Sequence, residues 1–349
     1  MYSEQDLAAA IEAGAITQEA ADGLRNHVAS GRAMPAVDEE NFRLVNSFND
    51  IFVAIAAIIS LVAMGGIGGS IHVALGGFFV AGAAWGLAEF FTRKRRMALP
   101  SIVLLVAFTF GIVVGQMAIV EEVFGSDIGE RTSALLAAGV AAVTAFAAWL
   151  HWRRFMVPIT IAAGTGALAA TAVALVLAAL GIDPARTEAL VLTLVLIAGI
   201  VIFLVAMRWD ISDRKRETRR SDVAFWLHLL AAPMIAHPLF YMVGITGGES
   251  IGAAGALGVL GIYIVMGLVA IAVDRRALLV SALAYVLVAL TFLFREFGVV
   301  ELNVAITALV IGSGLLCLSA FWTPIRQFVV AKLPGNLQMK LPVTHLAAA

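Results

Sequence analysis

The chain has 349 residues, of which 61% are hydrophobic and only 13% charged, and its mean hydropathy is +0.97. Water-soluble domains run at ~45–50% apolar and ~25% charged, so the composition excludes an ordinary soluble protein and predicts an integral membrane one. The net charge of −1 carries no information as a total, because in a membrane protein the placement of charge sets orientation.

The first ten residues, MYSEQDLAAA, are acidic and polar, unlike the basic-then-apolar order of a secretory signal. Ser3 is placed to cap a helix over about 4–13, with Asp6 at the capping-box position. Gly14 ends it, and Thr17 can cap a second helix over about 18–29. Leu7, Ile11, Ile16, Leu24 and Val28 supply a shared apolar face. Residues 1–30 thus form a helical hairpin that is too small to fold strongly alone and calls for a protein partner or the membrane domain. A linker and interfacial lead-in occupy 31–49, where Phe42, Val45 and Phe48 recur every third residue.

The run from Leu7 through Ile11-Glu12-Ala13-Gly14-Ala15-Ile16-Thr17-Gln18-Glu19-Ala20 to Leu24, set ahead of many hydrophobic hairpins, resembles bacterial polytopic membrane proteins grouped as domains of unknown function. The resemblance implies a bacterial cytoplasmic-membrane protein and brings no activity or catalytic residue with it.

A bilayer core of ~30 Å takes about 20 apolar residues per helix. Apolar runs of that size lie near 50–68, 70–91, 99–120, 133–151, 155–181, 187–207, 222–243, 251–273, 277–294 and 299–322. The fold class is therefore all-α, a transmembrane bundle of about ten spans over residues 50–322, followed by a tail at 323–349. A tight turn at Gly65-Gly66-Ile67-Gly68-Gly69 is expected to separate the first two spans. Basic residues gather at Arg93 to Arg96, Arg153-Arg154, Arg208 to Arg220, Arg275-Arg276, Arg326 and Lys332. The intervening connections carry Glu121, Glu122, Asp127, Glu130, Asp183, Glu249, Glu296 and Glu301. This alternation is the positive-inside pattern and predicts both termini in the cytoplasm, while the bacterial inner membrane is what the resemblance implies. Arg95-Arg96-Met97-Ala98-Leu99-Pro100 lines up with Arg153-Arg154-Phe155-Met156-Val157-Pro158, as does Arg275-Arg276 without the proline. Each repeat reads as a hairpin entered from a basic corner. Shared composition of membrane helices explains the likeness before duplication does.

The stretch DVAFWLHLLAAPMIAHPLFYMV, from Asp222, is the one span with two histidines and two prolines. His228 and His237 lie on opposite faces of a helix, ~13 Å apart along its axis, so they form no shared metal site and no metal ligand set is assigned. Pro233 and Pro238 free the carbonyls of Leu229 and Met234 and make a candidate hinge in an interrupted helix. Met234, His237 and Tyr241 share a face expected to line the bundle interior. His228, beside Trp226, reads as interfacial packing. Gln116 and Asn303, the deeper members of an outer polar set with His72 and Glu122, complete the candidate lining. Gly65-x-x-x-Gly69, Gly82-x-x-x-Gly86 and Gly252, Gly255, Gly258 and Gly261 match close-packing motifs.

No phosphate-binding loop, nucleophile elbow or dinucleotide fingerprint is present, so no catalytic residues, cofactor or enzyme activity are assigned. The basic clusters lack interleaved aromatics, which disfavours nucleic acid. The expected partners are the lipid bilayer, a small solute and a protein at the N-terminal hairpin. The leading expectation is a transporter- or permease-like protein. A non-catalytic scaffold or regulator is the alternative.

Overall fold

A computed structural model describes residues 4–31, 48–125, 128–181, 188–214, 216, 218–244, 253–296 and 303–343, and every regular element among them is a helix. The chain divides into two compact units, Met1–Arg43 and Leu44–Ala349.

The first unit holds α1 (Glu4–Glu12) and α2 (Gln18–Gly31). Thr17 caps α2 as expected, its Oγ1 accepting from the Ala20 amide at 3.1 Å. Gly14 turns the corner at φ +68, a conformation that strains any residue with a Cβ. Leu7 and Ala21 are buried. Ser3, the linker and the lead-in residues Phe42 and Val45 lie outside the described residues.

The second unit begins with α3 (Phe48–Ile71) and α4 (Val73–Ala88), which runs on through a π turn at Glu89–Lys94. Then follow α5 (Ala98–Phe124), α6 (Glu130–Phe155), α7 (Ile159–Leu180), α8 (Glu188–Ser212), α9 (Arg219–Met242) and α10 (Ala253–Val273). These eight are each long and apolar enough to cross a membrane, and the chain is a multi-pass membrane protein. α11 (Ala277–Glu296), α12 (Asn303–Ala320), α13 (Trp322–Ala331) and α14 (Gly335–Gln338) complete the chain. α12 passes the same test only together with α13, from which it is bent by 74°.

The first turn differs from expectation. α3 runs unbroken through Gly65–Gly69, and the chain reverses at His72, whose extended backbone (φ −161, ψ 140) caps α4. The glycines serve contact instead. A Cβ at Gly68 would sit 2.5 Å from the Leu75 carbonyl oxygen, and one at Gly76 would sit 3.1 Å from that of Gly65. Bare backbone lets α3 and α4 touch, and the polar break is left to a residue with its own capping nitrogen. Gly77, Gly111 and Gly115 do the same for α4 and α5, where a Cβ on Gly77 would lie 2.4 Å from the Gly115 nitrogen. Gly82 and Gly86 meet nothing within 4 Å, so that motif packs no helix pair. Of the last motif, Gly258 abuts Val243 and Gly261 faces open space, while Gly252 lies outside the described residues.

The hairpins are also displaced by one helix from those expected. The extensive contacts join helices across the basic corners: α4 with α5, α6 with α7, α8 with α9, and α10 with α11. Of the helices joined at the opposite end, α3 and α4 pack closely, whereas α5 with α6 and α7 with α8 touch more sparingly. The basic corners are short, α6 ending at Phe155 and α7 starting at Ile159, so they hold their flanking helices side by side. Four corners each place a non-glycine residue in the left-handed region: Arg96, Met156, Arg216 and Asp274, at φ 54 to 61. They recur about every 60 residues, the length of one two-helix unit.

Candidate functional site

α9 is continuous through Pro233 and Pro238 rather than interrupted. Its apolar length, set between α7, α8 and α11, keeps both prolines within one helix. Met234 is half-buried against α8, where a Cβ on Gly199 would approach the Met234 Cβ to 2.9 Å. His237, expected inside, is exposed, and its Nδ1 lies 2.5 Å from the hydroxyl of Tyr285 on α11. Tyr241 turns the other way, to Glu188 Oε2 on α8 at 3.4 Å. The predicted stripe therefore splits between two neighbours, because each polar tip finds its own partner.

The outer polar set is only partly assembled. His72 Nδ1 accepts from the Ala74 amide at 3.2 Å, which leaves Nε2 protonated and facing Glu122 Oε2 at 3.1 Å. Gln116 Nε2 donates to the Ile112 carbonyl at 3.0 Å and reaches Thr144 Oγ1 at 3.4 Å. Both contacts join neighbouring helices and gather no further ionisable group. The side chain of Asn303 lies outside the described residues.

The dense polar site lies at the basic end instead. Asp210, near the end of α8, is a buried carboxylate. Arg275 Nη2 donates to its Oδ1 at 2.5 Å, and His228 Nε2 lies 2.9 Å from its Oδ2. His228 is 0% exposed, so its packing is against protein. The close packing of α9 on α8 sets this imidazole beside the carboxylate, with Phe203 edge-on at 5.1 Å. A carboxylate held by arginine is ionised and accepts only, so Nε2 carries the proton. His228 Nδ1 is then a buried acceptor with no hydrogen-bond partner among the described residues. Arg275 also donates to the Ser221 carbonyl at 3.2 Å, closing the triad across α8, α9 and the corner before α11.

A second network shares that corner. Asp274 accepts from Arg216 Nη1 at 2.7 Å and from Trp322 Nε1 at 2.6 Å, while Arg326 approaches at 3.8 Å. Asp274 and Arg216 both hold left-handed backbone. Glycine would be less strained at either position, but only these side chains can hold the two corners to each other. Burial lowers the Arg216 pKa from its ordinary range, Arg275 pushing the same way and Asp274 opposing. Arg214 and Arg326 reach further, donating to the carbonyls of Leu341 and Pro342, each at 2.8 Å. The segment expected as a tail is thereby docked: Trp322, Arg326 and Val330, one turn apart on α13, are all buried.

Among the described residues no three of His, Cys, Asp and Glu converge closely enough to hold a metal ion. No family model, curated protein or solved structure matches the chain. The chemistry of the triad therefore stands on its own geometry: a buried carboxylate, a guanidinium and an imidazole with one open nitrogen. Sequence reasoning passed over all three residues. Arg275 reads as topology signalling and His228 as packing, and nothing singles Asp210 out of the run Arg208 to Arg220. The available signal was Asp210 itself, a carboxylate directly after the apolar run 187–207, where a charge drawn into the bundle needs a partner.

Proposed function

We propose that the chain is a ten-span protein of the bacterial inner membrane, with both termini cytoplasmic, that carries a small solute across it. The Asp210–His228–Arg275 triad is its charge-handling centre. The observation that carries this reading is the complete burial of His228 with Nε2 on Asp210 and Nδ1 unpartnered. Ionisable groups held inside a helical bundle are costly and mark substrate or ion pathways, and bundles built from repeated helix units are a transporter architecture. His237 takes no part, since it is exposed and bonded to Tyr285. Reconstitution in liposomes tests the reading with panels of amines, amino acids, sugars and carboxylates. The expected outcome is flux in the parent, loss in His228→Gln at an unchanged unfolding temperature, and retention in His237→Ala. Absence of flux in the parent for every class overturns it. No enzymatic activity or cofactor is part of the proposal.

A scaffold or regulator is the second reading, favoured by the separate compact unit Met1–Arg43 with its own buried pair Leu7 and Ala21. On that reading deletion of residues 1–30 abolishes capture of one protein partner and leaves the unfolding temperature of the bundle unchanged.

A further inference from the structure

α7 is built mostly from small residues, among them Ala162, Gly164, Gly166 and Ala169, and it does not fill the space between its neighbours. A cleft of about 440 Å³ opens between α6 and α7, walled by Phe146, Trp149, Ile161 and Gly164. A second, of about 400 Å³, opens between α7 and α8, walled by Ala172, Val173, Ile197 and Val201. Thr165 and Leu168 line both, so the two clefts meet across α7. Each lies in the size range of ligand clefts, about 300–1,000 Å³. Their walls are nearly all hydrocarbon, and the hydroxyl of Thr160 is turned to His151 Nδ1 at 3.3 Å. Such walls suit acyl chains and offer a polar solute nothing.

The mouth of the first cleft has a different character. Phe146 stacks on Trp149 with ring centroids 5.6 Å apart, and the Arg153 guanidinium lies 5.2 Å over the Trp149 ring. These residues, one turn apart, form a ladder on α6 from the cleft wall to the basic end. Trp152, which also lines the cleft, places a second indole at the level where interfacial aromatics sit. Arg154 is held by Glu89 through bonds of 2.6 and 3.0 Å, while Arg153 is exposed on the cleft side. Basic pockets between membrane helices bind anionic headgroups, and a stacked guanidinium offers a phosphate its planar fork.

We propose that these joined clefts hold one anionic phospholipid, its two acyl chains lying on either side of α7 and its phosphate at Arg153. The site is independent of the transport reading, since it faces the bilayer and includes none of Asp210, His228 or Arg275.

Native mass spectrometry of the purified full-length protein tests the proposal with dioleoyl phosphatidylglycerol, dioleoyl phosphatidylcholine and a single-chain lysophosphatidylglycerol. One phosphatidylglycerol is expected to stay bound in preference to the other two. Arg153→Gln, an exposed substitution, lowers the preference over phosphatidylcholine about fivefold, the effect of one basic side chain at an anionic surface. Thr165→Phe, placed where the clefts meet, removes binding of the two-chain lipid. If that variant unfolds, Leu168→Phe at a 60% exposed position takes its place. Equal retention of phosphatidylglycerol and phosphatidylcholine overturns the proposal. So does an unchanged preference in Arg153→Gln, or full binding in a folded cleft variant.

Discussion

Two acid–arginine pairs, Glu89 with Arg154 and Asp210 with Arg275, are both separated by 65 residues yet differ in environment. Glu89 is 31% exposed on its side chain and Arg154 43%, whereas Asp210 and Arg275 are 0% and 2%. Solvent screens the first pair and leaves the second unscreened. Asp210→Asn leaves Arg275 buried without its countercharge, and is expected to cost about 3–5 kcal/mol. Thermal unfolding in detergent should show a large drop for it and little change for Glu89→Gln. Comparable shifts for the two would mean that burial is not what separates them. The left-handed corners offer a second contrast. Met156 is exposed and makes no use of its strained backbone, so Met156→Gly is expected to stabilise by about 1 kcal/mol. Asp274→Gly relieves the same strain but removes the bonds to Arg216 and Trp322, and should lower the unfolding temperature.

At the scale of elements, the helices themselves were legible because twenty apolar residues in a row have few other solutions. Their partners were not. The repeated Arg-Arg corners were readable as starts of helices, but which neighbour each helix embraces depends on connection length and on where glycine removes side chains. Gly77 and Gly82 show why a motif alone misleads: both sit on α4, yet a Cβ on one would enter α5 and on the other would meet nothing. Gly77→Val is therefore expected to force α4 from α5 and destabilise by about 1–3 kcal/mol, while Gly82→Val leaves unfolding unchanged. The recurrence of left-handed corners about every 60 residues favours repeated two-helix units over composition alone. Helix entry explains arginines, but it does not require the same backbone twist at each corner.

At the scale of the whole molecule, the basic end is a folded cap. Arg214 and Arg326 hold the backbone of residues 341–343, and Leu341 packs beside Val273 and Val330. Truncation after Leu333 should expose that end and lower thermal stability, with the helix content of the earlier spans retained by circular dichroism. The proposed ten-span topology has its own check. In a Cys317→Ser background, Arg96→Cys and Arg220→Cys should react with a membrane-impermeant thiol reagent from one side only, and Gly125→Cys and Gly244→Cys from the other. Labelling of Arg96→Cys and Gly125→Cys from the same side would break the assignment.

The sequence by itself determined the apolar environment, the all-helical class, the approximate position of most long helices, and the capping of α2 by Thr17. Each follows from local composition or from contacts a few residues apart. The tertiary structure decided the site. Asp210, His228 and Arg275 lie 18 and 65 residues from one another along the chain, and nothing in their spacing distinguishes a buried partner from a surface charge. Only the packing of α8, α9 and the corner before α11 removes water from all three together, and that turns three ordinary residues into one coupled centre.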